Sequence, residues 1–592
     1  MKRSTGEAVA PDAPKGNSEK SKSKRKKKVI KPKLTAEQRK ANKIKADHMR
    51  TVRAVFRQTG FARAPEIAGE NVSFLDRDGE FDDAFLFENL LLLVEYTTTQ
   101  GAGVSDHLKP KKILFRKVVD NPIEFITYLK GKFPAFAGRL GSTYHEDRMI
   151  VRIVYCSRYS FDGQIKSIVD EPIYLDYPIL KYFEKISSAI KLSSRHELLE
   201  FLEVEPLEVG TAGRFSKAEA GEAYPGSLLP EEASGFPKGY KVVSFYADAA
   251  ALLQRAFVLR RKGWRGSQQA YQRMVIPSKI ETIRAALREK GQVAVNNVIA
   301  TLPHDVKPVG PDGHTIDVAT LKRTAPVKIS LPLRPNSIGL IDGQHRLFAY
   351  YRSEKDDPRI ALLRDQQNLL VTGIIYPQNM AEAEAERFEA SLFLSINSNQ
   401  SSAPPELRQE IEVLLNPFSP TAISKQVMGG IASEGPLSEH VERYFYDKGK
   451  LKTSSIVSFG LGPLLKLSGD DSIFSVFSHP EKDGIAKGTS TAALTAYLRQ
   501  AISTINIFLS AVRFNVRKDR WTSDRNIPDR LLTVTYVNSF LITLRMLLQT
   551  GKPTDFETLS RNLAGFDIFD TKPFSSSQYN RMAEAIFDKH FR

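Results

Sequence analysis

The chain of 592 residues holds one cysteine, Cys156. A single thiol excludes an internal disulfide and any cysteine-rich zinc site, and it fits a reducing, intracellular setting. Long apolar runs are missing too. The leucine run Leu90 to Val94 is soon broken by Glu95, far short of the roughly 18 apolar residues of a spanning helix. No apolar signal-peptide core lies near the N-terminus. The setting therefore reads as cytoplasmic, nucleoid-associated if the host is prokaryotic, with no membrane partner. The ten histidines are scattered. His107 stands beside Asp106 without a second ligand at helical spacing, so it reads as a surface-loop residue and zinc finds little support.

What is present suits several globular domains: 41% hydrophobic residues over a length that exceeds a single ordinary domain. The formal net charge is +17, and residues 1 to 50 carry 17 Lys and Arg against 5 Asp and Glu. The positive charge is thus concentrated at the start of the chain. Residues 1–34 have too little apolar content to order and read as a disordered basic arm. The block Lys24-Arg25-Lys26-Lys27-Lys28 has three readings. It can be a solubilising tail, a DNA-binding arm acting through counterion release, or a nuclear localisation signal in a eukaryotic host. Thr35-Ala36-Glu37-Gln38 has the pattern of a capping box, with a basic helix running from it toward Gly60.

The organisation expected downstream is a domain over 35–205, a linker over 206–240, a second domain over 241–406 and a helical region over 407–592. The linker reading rests on Gly, Ala, Pro and Ser between Gly210 and Tyr240, where Pro225-Gly226, Pro230, Gly235 and Pro237 break regular structure. A strand at Val242 to Tyr246 then leads to Asp248, a candidate cap for a helix through Leu259. The cluster Arg260-Arg261-Lys262 reads as a solvated helix end or a DNA contact, and Trp264 as a core residue or a base-stacking one.

The most informative stretch is Ile341-Asp342-Gly343-Gln344-His345-Arg346-Leu347, where an apolar strand ends in a polar cluster. Glycine permits close approach of a ligand to the main chain. His345 and Arg346 supply donors for an anion, and Asp342 can accept from a ribose hydroxyl or hold a cation. The alternative is a strand–turn–helix corner with an ion pair between Asp342 and Arg346.

Asp342 to Arg346 as it stands resembles the signature of the DGQHR-domain proteins, which include the DndB proteins associated with phosphorothioate modification of DNA. Tyr271-Gln272-Arg273, Asn296-Asn297-Val298-Ile299 and Phe393 to Gln400 agree in order and spacing, so the resemblance covers roughly residues 240 to 592. It extends distantly to the ParB and sulfiredoxin fold, in which a Gly-x-x-Arg turn holds nucleotide phosphates and a later Asn-x-Gln segment helps. Gln344 stands where sulfiredoxins carry a cysteine, so reductase chemistry is not implied. The resemblance implies a nucleotide pocket of Asp342, Gly343, Gln344, His345 and Arg346 with Asn397, Asn399 and Gln400 in a polar loop, together with Gln272 and Arg273. Its ligand would be ATP or another nucleoside triphosphate.

A second constellation runs from Gly79-Glu80-Phe81-Asp82-Asp83 through two apolar runs that flank Glu88-Asn89 and read as a hairpin. Period-two geometry places Glu95 and Thr97 on the face of Leu91 and Leu93. A carboxylate closing a leucine strand needs a partner. Paired across the hairpin with Asp82, it could share a magnesium ion. This order resembles the PD-(D/E)XK nuclease fold, with Glu66 or Glu70 on the preceding element and Arg148 to Arg158 as the next strand. Thr97 departs from the pattern, standing where that family has its catalytic lysine. Lys109, Lys111 or Lys112 can replace it, Lys111 being carried forward as the catalytic candidate. An active nuclease, an inactive DNA-binding relative and an unrelated α/β domain are the three readings.

From Leu407 the pattern is mostly helical, with long helices at Ala493 to Val512 and Leu531 to Leu548. Arg517, Lys518, Asp519, Arg520 and Trp521 lie between them. The fold class expected is α/β: a restriction-endonuclease-like domain, a ParB/sulfiredoxin-like domain and a helical C-terminal region. The function expected is DNA and nucleotide binding with a magnesium-dependent nuclease-like module, in DNA modification, restriction or defence against phage beside other proteins of such systems. A non-nucleolytic, nucleotide-switched DNA-binding regulator is the alternative, and a scaffold with relic pockets a third possibility.

Overall fold

The computed structural model describes residues 35–141, 143–160, 163–205, 208–210, 223–258, 275–397, 404–444, 446–571, 573–574 and 577–592. The basic block Lys24–Lys28 therefore lies outside the described residues, as do Arg260 to Lys262 and Trp264. Two compact units divide between Asp47 and His48. In the first, the described residues are Thr35 and the opening of helix α1 (Ala36–Gln58). The capping box is formed: Thr35 N–H donates to Gln38 Oε1 at 3.0 Å, and Gln38 N–H to Thr35 Oγ1 at 3.1 Å.

The second unit is mixed α/β. Its strands in chain order are β1 (Ala62–Arg63), β2 (Asn71–Phe74), β3 (Arg77–Glu80), β4 (Asp83–Phe87), β5 (Leu90–Thr97), β6 (Ile150–Ser157) and β7 (Ile173–Leu175). Then come β8 (Ala223–Leu228), β9 (Lys241–Asp248), β10 (Ala256–Val258), β11 (Val298–Leu302), β12 (Ala325–Ser330), β13 (Ile338–Asp342) and β14 (Asn368–Ile375). One sheet has the order β1-β4-β5-β6-β7 and another β10-β13-β11-β14-β9-β8-β12, while β2 and β3 pair alone.

In the five-stranded sheet, β4 and β5 form the antiparallel hairpin with Glu88 and Asn89 at its turn. Strand β6 then lies parallel to β5, Glu95 opposite Tyr155 and Thr97 opposite Ser157. A parallel neighbour requires a crossover. It is made by α2 (Ala102–Leu108), α3 (Lys112–Asp120), α4 (Pro122–Lys132) and α5 (Pro134–Leu140). These helices bury Leu108, Phe115, Phe125 and Phe136 against Leu91 and Leu93. On the other face, Leu92, Val94 and Tyr96 join Val52 and Phe56 of α1 and Leu180 and Phe183 of helix Tyr177–Ile190. Every residue of β5 is consequently buried.

The linker expectation is corrected. Residues 223–228 form β8, second from the edge of the larger sheet, despite Pro225 and Gly226. Proline lacks an amide donor, so its place in a ladder is restricted. Gly226 is required where it stands, because a Cβ there would lie 2.5 Å from the Ser244 carbonyl oxygen and 2.9 Å from Phe245 Cβ. Local breaker chemistry is overridden by pairing with β9 and β12. The hydrophobic core that begins beside α1 continues through Leu198 and Phe201 to Val243, Phe245, Leu340 and Tyr350. Residues 35–205 and 241–406 thus share a core.

Asp248 caps its helix, accepting from Ala251 N–H at 2.7 Å. That helix ends at Arg255 instead of continuing to Leu259, because Ala256 to Val258 pair in parallel with Ile338 to Leu340. The C-terminal region is mainly helical, with a separate core shared by helices Thr491–Phe514, Val534–Gln549 and Tyr579–His590. Between the first two of these, Trp521 is buried and donates to the Pro436 carbonyl at 2.9 Å. Arg517 and Arg520 are paired with Asp529 and Asp567. These cations are therefore committed within the fold.

The Gly226 contact predicts that Gly226→Val lowers stability by about 1–3 kcal/mol through overpacking against a backbone atom. Gly138→Ala in α5, where an added Cβ meets nothing within 4 Å, should be neutral or slightly stabilising. Urea midpoints of the two variants measure the contrast.

Candidate functional site

Asp82 sits at the bend entering β4, and its Oδ2 accepts from Tyr96 N–H at 2.8 Å. That bond ties the carboxylate to the carboxyl end of β5. Its neighbour Asp83 has a different duty: fully buried, it receives Arg53 Nε and Arg63 Nε, each at 2.6 Å, and Tyr96 OH at 3.1 Å. Two adjacent aspartates therefore divide between a site and a structural ion-pair cluster.

Glu95 is fully buried. Its Oε2 meets Lys111 Nζ at 2.5 Å, whereas Oε1 is enclosed without a hydrogen-bond partner. Lys111 comes from the tight turn Lys109–Lys111 between α2 and α3. Burial pushes the Glu95 carboxyl up to about 8; the Asp82 carboxylate adds to the rise and Lys111 opposes it. A buried carboxylate with one orphaned oxygen beside a second carboxylate suits a shared divalent ion. Among the described residues no group of three His, Cys, Asp or Glu converges. Asp82 and Glu95 alone would hold the ion, with water and phosphate oxygens completing the shell, as magnesium accepts.

Thr97 is buried, its hydroxyl 2.9 Å from that of Thr99. Glu66 is held by Arg139 at 3.0 Å, Glu70 and Lys109 are exposed, and Lys112 donates to the Ile168 carbonyl at 2.6 Å. The structure brings Asp82, Glu95 and Lys111 together and leaves Glu66, Glu70, Lys109 and Lys112 outside the cluster, while Thr97 reaches its edge through Tyr155. His107 is corrected from a surface-loop residue to a half-buried member of α2 whose Nδ1 lies 2.9 Å from Tyr155 OH. Tyr155 itself faces Glu95 across the strand pair. Burial pushes its hydroxyl up to about 12, with Thr97 opposing and Glu95 and Asp82 adding. Register is the missing signal, since nothing in sequence spacing places residue 155 opposite residue 95.

The Asp342–Arg346 cluster is a strand–turn–helix corner. Strand β13 ends at Asp342, and Gly343 takes a left-handed φ of 88° before the short helix Gln344–Phe348. A side chain at 343 would be strained and would approach Val298 Cα to 3.1 Å. Arg346 Nη2 donates to the Asn297 carbonyl at 2.7 Å and to Asp342 Oδ2 at 3.2 Å, while its Nε is buried without a partner. The expected anion donor at His345 is altered: its Nε2 accepts from Ile276 N–H at 3.0 Å. Gln344 is buried with neither amide atom hydrogen-bonded.

Asn397 is corrected from loop to helix, being the last residue of helix Glu382–Asn397, which meets no Gly or Pro before Pro404. Asn399, Gln400, Gln272 and Arg273 lie outside the described residues. No helix among the described residues is long and apolar enough to cross a membrane. No family model, curated protein or solved structure matches the chain.

Because the folded-state pKa of Glu95 lies above the ordinary glutamate value of 4.5, the native state binds that proton more tightly than the unfolded chain. The resulting stability is full below about pH 4.5 and is lost as pH rises through about 8. Glu95→Gln should flatten that decline in urea unfolding series run from pH 5 to 8.5 without divalent metal. An equal decline in both proteins would contradict the assignment.

Proposed function

We propose that the protein is a magnesium-dependent nuclease-like DNA-binding protein whose Asp342–Arg346 corner takes a nucleoside triphosphate. Its setting is DNA modification or restriction, alongside partner proteins of such a system. The observation that carries the reading is the buried Glu95 carboxylate with one orphaned oxygen, flanked by Asp82 and by the ammonium group of Lys111.

When bound, magnesium supplies a polarised water and neutralises phosphate charge. Asp82 and Glu95 would hold it, with Lys111 beside Glu95. The Lys111 ammonium group would donate to a non-bridging phosphate oxygen as the water oxygen bonds to phosphorus and the bond to the leaving oxygen breaks. The proton lost by the water ends, through solvent, on the leaving oxygen. Lys111 thereby does the work expected of a lysine at position 97.

With magnesium or manganese, plasmid DNA should be cut by the wild type, and Glu95→Gln or Lys111→Ala should slow cutting by about 100-fold or more. Intact plasmid with every divalent metal, or equal cutting by both variants, removes the nuclease assignment.

A second reading is a non-nucleolytic regulator switched by nucleotide. It is favoured by the buried, unpartnered carboxamide of Gln344 and the unpartnered Nε of Arg346 in the same short helix, groups that a ligand would satisfy. Calorimetry with ATP should give a Kd raised on the order of 10- to 100-fold in Arg346→Ala, the loss of a hydrogen bond to a charged group. Unchanged binding would end the phosphate role of this corner.

A further inference from the structure

Beyond the last residue of β6 the chain builds an alternating series of guanidinium groups and aromatic rings. Arg158 N–H donates to the Thr97 carbonyl at 2.9 Å, which anchors it to the carboxyl end of β5. The Arg158 guanidinium lies 3.7 Å from the centre of the Tyr177 ring. Tyr177 meets Tyr446 edge to face at 5.3 Å, and Tyr446 stacks on Tyr444 at 5.1 Å with only 5° between planes. Arg443 stands 5.6 Å from the Tyr444 ring and closes the series.

Asp447 shapes the distal end. Its Oδ2 accepts from the N–H groups of Arg443 at 2.9 Å and Tyr444 at 3.0 Å, which folds the loop so that two tyrosines stack. All five members of the series are half-exposed. Among the described residues neither Arg158 nor Arg443 has a carboxylate partner. A half-buried arginine on a ring, without a carboxylate partner, is well disposed to take a phosphate, and the part of a half-buried tyrosine that faces solvent can take a base.

We propose that Arg158, Tyr177, Tyr446, Tyr444 and Arg443 form a binding track for single-stranded DNA, with bases stacking on the tyrosines and phosphates meeting the guanidinium groups. The proposal deepens the DNA-binding reading above. The track starts one residue past β6 on the side of α1, whereas Glu95 faces α2–α5, so a bound strand would cross the carboxyl ends of β5 and β6 on its way to the carboxylates. Stacking accepts any base, which suits a protein that handles DNA without reading its sequence at this point.

The test is fluorescence anisotropy of labelled 20-mer oligo-dT, oligo-rU and a duplex of the same length. The full chain is used in EDTA, so that cleavage plays no part. Tyr444→Ala should weaken oligo-dT binding about 5- to 150-fold, the range for loss of one stacked base, and Arg443→Gln should weaken it through loss of a phosphate contact, with the duplex less affected. Tyr444→Phe should bind like the wild type. Tyr444→Leu, which keeps apolar bulk without a π face, should behave as Tyr444→Ala does and guards against a folding defect. A loss for oligo-rU as well as oligo-dT also supports stacking on the track. Wild-type affinity in Tyr444→Leu and Arg443→Gln, or equal losses for single strand and duplex, would overturn it. Because Glu95→Gln leaves the track intact, unchanged oligo-dT binding in that variant separates failure of the track from failure of the nuclease reading.

Discussion

The constraint on which the first module rests is the burial of β5 on both faces. Four apolar crossover helices cover Leu91 and Leu93, while α1 and helix Tyr177–Ile190 cover Leu92 and Val94. A strand buried on both sides must read as a nearly continuous apolar run, and this one does until Glu95. The carboxylate is therefore buried at the end of an apolar strand. Its raised proton affinity, its contact with Lys111 and its orphaned oxygen are consequences of that placement. The proton affinity of Glu95 is thus set by packing around the strand.

A second set of buried charges holds the other candidate corner. Arg284 Nη1 donates to the Ala349 and Tyr351 carbonyls at 2.8 and 3.0 Å, and Arg364 Nε to the Tyr350 carbonyl at 2.7 Å. Both guanidinium groups are almost fully buried, and Asp356 is an ion-pair partner of each. They satisfy the carbonyls at the C-terminal side of helix Gln344–Phe348, where a short helix would otherwise fray. Immediately beyond, Arg352 and Leu192 exchange contacts between the modules: Leu192 N–H donates to the Arg352 carbonyl, and Arg352 N–H to Ser193 Oγ, each at 3.1 Å. The corner is thus tied to the element that follows helix Tyr177–Ile190. A shared hydrophobic core lies behind these bonds.

Much of the local structure was legible from residues alone. The capping box at Thr35 and Gln38 and the hairpin around Glu88-Asn89 follow from short-range stereochemistry, which acts over a few residues, whereas the next strand near Arg148 to Arg158 came from the resemblance. Strand β8 was not legible, because Pro225 and Gly226 are locally strand breakers and only pairing with two neighbours reverses that preference. His107 was likewise misread. Its role rests on Tyr155, which lies 48 residues away and reaches it only after the crossover helices bring β6 alongside β5.

By itself the sequence determined the alternation of β5, and hence which face Glu95 occupies, because side-chain direction in a strand has a period of two and needs no partner to set it. It also determined the corner after β13, since few residues other than glycine accept that backbone conformation. Only the tertiary structure decided that Lys111, and not Lys109 or Lys112, meets Glu95, that Asp83 is given over to Arg53 and Arg63, and that Arg346 spends its Nη2 on Asn297 and Asp342. Each of those choices depends on the distance between groups carried by different elements. Such distances are set by how helices and strands pack, which no spacing along the chain encodes.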